Sequence, residues 1–111
     1  MIQSDLFREI LATYRKHGWS LRRVLAREEV STEIAAQLAA SGESPMMQQA
    51  AVDAMWFARP SHKGREAWEL RLVAEAPYAL FETFEADEAE EDREEVRQEM
   101  EARLREHVAR V

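Results

Sequence analysis

From about Val52 to Glu85 the pattern of the chain takes a two-residue period, with two clear interruptions, and this limits its folds more than any other feature. AVDAMWFARP sets Ala54, Trp56 and Ala58 against Asp53, Met55, Phe57 and Arg59, and Pro60 ends the run. SHKGRE then supplies a turn with its Gly64, after which AWELRLV sends Trp68, Leu70 and Leu72 one way and Glu69 and Arg71 the other. A second break at AEAP leads into YALFETFE, where Tyr78, Leu80, Phe81 and Phe84 are too dense for burial on one side only. Runs this short with connections this tight pair as antiparallel neighbours, so strands are expected at 52–59, 66–74 and 78–85 as a meander.

The flanks read as helices. Leu6, Phe7, Ile10, Leu11 and Tyr14 recur at helical spacing over 4–17, with Ser4 as the start signal and Gly18 as the stop. The following segment 19–26 fits a helix or a strand. Its length and its position directly after Gly18 favour the strand. Two short helices are expected at 32–40, stopped by Gly42, and at 45–51, opened by Ser44 and Pro45. From 87 to 110 a longer amphipathic helix carries a narrow seam of Val96, Met100, Leu104, Val108 and Val111.

These elements make one α+β domain over residues 1–111. The expected form is a two-layer sandwich, an antiparallel sheet of three or four strands with the N- and C-terminal helices packed on one face. Leu6, Ile10, Trp56, Trp68, Leu70, Phe81 and Leu104 are its expected core.

Several classes of chemistry find no support. The chain has no cysteine, which removes disulfides, thiolate metal sites and cysteine nucleophiles. His17, His62 and His107 show no metal-ligand spacing, the serines sit in no nucleophile-elbow motif, and Gly18, Gly42 and Gly64 are too far apart for a phosphate loop. The acidic run EADEAEEDREE lacks the glycine of a calcium loop and reads as the solvated start of the last helix. No catalytic, cofactor or metal residue is therefore assigned. Asp5, Arg8 and Glu9 interrupt any signal-peptide stretch and no apolar run approaches the length of a membrane span, so a cytoplasmic chain with no membrane partner is expected.

Charge is uneven along the chain: +4 over residues 1–27, −5 over 28–57, +2 over 58–72 and −8 over 73–111, for a net −7. A basic front and an acidic back can pair with each other, within one chain or between two.

Three functions follow as expectations. The first is a small non-catalytic protein-interaction module, a homodimer or a subunit of a larger complex. A domain this small has difficulty covering both faces of a sheet, and Met55, Phe57, Tyr78, Leu80 and Phe84 put apolar groups on the second face as a candidate interface. The second is a nucleic-acid or phosphate-binding domain using the basic turn 59–65, with Arg59, His62, Lys63, Arg65 and Arg71 as contacts, although the net charge opposes it. The third is a small ligand-binding or enzymatic domain with a tryptophan-lined pocket.

Overall fold

The computed structural model describes residues 3–110. In chain order the elements are α1 (Gln3–Lys16), β1 (Ser20–Ala26), α2 (Glu28–Ser41), β2 (Met46–Gln49), β3 (Ala54–Pro60), β4 (Glu66–Leu72), β5 (Ala79–Phe84) and α3 (Glu90–Arg110), with a 3-10 turn at His62–Gly64 between β3 and β4. The strands form one sheet in the order β2-β1-β3-β4-β5. The expected meander is its β3-β4-β5 half, antiparallel throughout, and β1 pairs antiparallel with the other edge of β3.

The fold is α+β, but the sheet is mixed and has five strands rather than an antiparallel three or four. The additional strand is β2, from the segment expected as a helix over 45–51, and it lies parallel to β1. Two forces oppose each other here. Met and Gln are good helix formers and Pro45 suits a helix start, yet a proline also drives the residue before it into extended conformation. Pairing of Met46–Gln49 with Arg23–Ala26 decides in favour of the strand. The 14-residue α2 is the crossover that two parallel neighbours require.

Both terminal helices were expected on one face, and the structure corrects this. Leu6, Phe7, Ile10 and Leu11 of α1 and Ile34 and Leu38 of α2 pack with Leu21, Val24, Met55 and Phe57. Met100 and Leu104 of α3 pack in a separate cluster with Leu25, Trp56, Trp68, Leu70 and Phe84. Helices thus lie on both sides of the sheet, and α3 covers the side opposite α1. The central strand β3 is accordingly buried on both faces from Ala54 to Ala58.

A bulge in β1 supports this division. Pairing with β3 slips between Leu21 and Arg23, which puts Leu21 and Val24 in the α1 cluster and brings both Arg22 and Arg23 to the ring of Trp68 on the α3 side. Simple alternation would separate those two arginines. The helix α2 starts at Glu28, earlier than expected, because its N-cap signal is not local. Asp53, in the loop just before β3, accepts the Arg27 backbone N–H at 2.8 Å, doing from a distant part of the chain what the acidic member of a capping box does from within a helix. Gly42, at φ 77°, closes the same helix, with its N–H on the Ala39 carbonyl and the Glu43 N–H on that of Leu38. Val111, assigned to the last helix's seam, lies outside the described residues.

Candidate interaction surfaces

The inner surface of α3 is half charged. Arg97, Met100, Glu101 and Leu104 occupy positions i, i+3, i+4 and i+7 and all four are buried, Arg97 and Glu101 to 1% exposure. Glu101 accepts the indole N–H of Trp56 at 2.8 Å. The Arg97 guanidinium lies 4.5 Å from the Trp68 ring centre and 5.6 Å from that of Phe84, and its Nε donates to Glu94 at 2.9 Å while Nη2 reaches Glu90. Glu94 also receives both terminal nitrogens of Arg23, at 2.8 and 3.1 Å. The basic front and acidic back of the sequence therefore meet inside one chain.

These contacts set a pH dependence. The Arg23 hydrogen bond, assisted by Gln98 and Arg97 and opposed by burial, holds the Glu94 carboxyl down at about 2, against an ordinary 4.5. A carboxyl depressed in the folded state stabilises it above its unfolded value, and that contribution fades as pH falls from about 4.5 through about 2. Glu94→Gln is expected to flatten the acid side of a melting-temperature profile over that window, as thermal melts of the two proteins would show. An acid limb identical in parent and variant would contradict the pairing.

On the other face, the Tyr14 hydroxyl donates to Glu69, and its ring stacks on Phe57 with centroids 4.1 Å apart. Burial, followed by the bond to Glu69, pushes the Tyr14 hydroxyl above its ordinary value. Its proton is held in the hydrogen bond to the Glu69 carboxylate. A shallow cleft of about 280 Å³ opens beside it, lined by Thr13, Tyr14, His17, Trp19 and Glu69. At the far end of α1, buried Asp53 gathers Arg27 and the Gln3 amide, which donates to it at 3.0 Å and to the Val73 carbonyl at 2.7 Å. That cluster ties the start of α1 to the start of α2 and the end of β4.

The candidate interface residues are occupied within the chain. Met55 and Phe57 are fully buried in the cluster that holds α1 and α2. Phe84 is buried in the cluster that holds α3, Leu80 packs against that cluster, and Tyr78 stacks on His107 with ring centres 3.6 Å apart. The five residues lie on opposite faces and form no patch. Conversely Phe81, expected in the core, is 58% exposed.

The candidate anion contacts are also dispersed. Arg59 donates to the His17 carbonyl and lies 4.4 Å from the Trp19 ring centre, and Arg65 is paired with Glu85 at 3.0 Å. Arg71 stands near the other end of β4, roughly 18 Å of strand away from the turn, where it donates to the Leu72 carbonyl. His62 and Lys63 remain exposed in the turn. Trp56 and Trp68 meet edge to face beneath α3, ring centres 5.9 Å apart, packed within its cluster. Among the described residues, no three His, Asp or Glu side chains gather in a metal-holding arrangement, and no helix is long and apolar enough to cross a membrane.

What stays open is set by how the helices divide. On the α1 side, β4 and β5 contribute no side chain to the cluster, and Ala79 and Phe81 are exposed there beside Trp19. At the other end of the sheet β2 is exposed along its whole length, with Met46 at 60% and Met47 at 39%. Exposure of β2 is the feature hidden from periodicity, because the segment does not read as a strand. No protein-family model matches the chain, and no curated protein or solved structure matches it either.

Proposed function

We propose that this chain is a small non-catalytic protein-interaction module. The observation that carries the reading is a contrast in how its surfaces are used. Asp53, Glu69, Glu94 and Glu101, the carboxylates best placed for chemistry, are each engaged by a partner within the chain. Apolar side chains, by contrast, are left to solvent at both ends of the sheet, Met46 and Met47 on β2 and Phe81 on β5, and β2 is exposed along its whole length. Backbone groups at an open edge and exposed methionine and phenylalanine are what a docking partner uses, while an active site needs polar groups with capacity left over.

Light scattering of the purified protein at micromolar concentration tests this. A particle of about twice the 12.9 kDa chain mass is expected. A monodisperse species at the chain mass across that range would remove self-association from the reading.

The nucleic-acid alternative has its own test. With Arg59 and Arg65 engaged and a net charge of −7, no binding to random oligonucleotides is expected even at ~50 mM salt, where phosphate contacts are strong. Binding that weakened on neutralising Lys63 and Arg65 would overturn the reading in favour of a phosphate-binding turn.

A further inference from the structure

We propose that two copies of this chain join edge to edge, β2 pairing antiparallel with β2 across a two-fold axis to give a continuous ten-stranded sheet. The proposal rests on the interaction-module reading and names its partner.

The first argument is the phase of the backbone. The Ala50 N–H donates to the Ala26 carbonyl at 3.0 Å, and in a parallel ladder this turns the amides of Met46 and Gln48 toward β1. The N–H and C=O of Met47 and Gln49 therefore point away from the sheet. A two-fold axis at Gln48 sets Met47 opposite the partner's Gln49 and Gln49 opposite the partner's Met47. That register matches all four outward groups of each copy, for four hydrogen bonds.

Charge is the second argument, and it separates the two edges. From Ser44 to Val52 there is no charged residue, in a chain that is 33% charged. The edge at β5 is guarded. The Leu72 N–H donates to the Tyr78 carbonyl, a phase that turns Ala79, Phe81 and Thr83 outward, and the Thr83 N–H is already taken by the Glu82 carboxylate at 3.2 Å. Glu85, Asp87 and Glu88 follow directly. Two copies meeting at β5 would bring acidic segments together, in a protein of net charge −7, whereas two copies meeting at β2 would not.

The helix beside the seam is compatible with close approach. Gln37, Ala40 and Ser41 of α2 line a cleft with α1, and at 100° per residue the opposite flank carries Ala35 and Ala39, both exposed. A ladder of four residues is too short by itself to reach the ~1,000 Å² of a stable interface, so the dimer also requires contact between these two flanks, each of which carries the exposed Glu28 at its far end.

The axis at Gln48 gives the test. Gln48→Lys and Gln48→Glu each place like charges opposite one another, and each is expected to weaken dimerisation about tenfold or more in sedimentation velocity. Mixed one to one, the two variants are expected to recover the parent's dimer, because Lys then faces Glu. Gln49→Pro, which removes an outward N–H and spares the bonds to β1, is expected to dissociate the dimer with little change in thermal melting. A dimeric parent unaffected by all three variants would overturn the β2 seat and leave the interaction reading standing. A parent monomeric at every concentration would overturn the β2 pairing and remove self-association from the interaction reading, leaving a different protein as its partner.

Discussion

Leu104→Asp is expected to abolish the cooperative thermal transition or lower it drastically. Leu104 is 0% exposed, at the centre of the cluster that joins α3 to Trp56, Trp68, Leu70 and Phe84. Loss of the leucine's buried area costs about 2–3 kcal/mol, and an ionised carboxylate there adds several more. The nearest helical neighbours at i−3 and i−4 are Glu101 and Met100, so the new charge would meet a buried carboxylate already committed to the Trp56 N–H. Domains of this size have about 5–15 kcal/mol in hand, and one substitution would consume much of it. Leu104→Met, close in volume, is expected to cost under about 1.5 kcal/mol. Melting curves of the two variants beside the parent decide the point. A Leu104→Asp protein melting within a few degrees of the parent would show that α3 is not docked where described.

Arg97→Ala should cost nearly as much, about 3–5 kcal/mol, as expected when one member of a buried charged network is removed. The guanidinium fills the space over Trp68 and Phe84 and is the positive partner of both Glu90 and Glu94. Truncation leaves a cavity under two aromatic rings and two carboxylates on one turn with less cation to face. Arg97→Met should be far milder. Its unbranched chain keeps contact with the rings, and it removes Nη1, which is buried with no hydrogen-bond partner in the structure. Glu94 retains Arg23 in either variant. Urea denaturation of both variants provides the comparison, and equal losses would mean that charge, not volume, is what α3 requires at this position.

The meander was legible in the sequence because AWELRLV alternates cleanly and its two neighbouring runs are set off from it by turn residues, and α1 was legible because its stripe is wholly apolar. The seam of α3 was only half legible. Met100 and Leu104 show in a search for apolar spacing, but Arg97 and Glu101, which complete the same stripe, do not, since their burial depends on Trp68 and Trp56 across the interface. A stripe counted by position rather than by polarity, set beside two tryptophans that need a cation and an acceptor, is the signal that was present. Strand β2 carried no local signal, because its conformation is set by β1 more than 20 residues earlier. The misplaced interface residues share one cause. With α1 and α3 assigned to a single face, Phe57 and Phe84 were left without cover, and dividing the helices between the two faces buries both. The same division moved the open surface to residues that alternation alone had either placed inside, as with Phe81, or assigned to a helix, as with Met46.

The central claim is that this chain works by continuing its sheet through β2, and residue-resolved amide exchange on the parent protein at rising concentration tests it most directly. Met47 and Gln49 amides, which point away from β1, are expected to become protected as concentration rises, while those of Ala79 and Phe81 at the guarded edge stay fast throughout. Exchange at Met47 and Gln49 that remains fast at every concentration, or protection that develops at Ala79 and Phe81 instead, would contradict it.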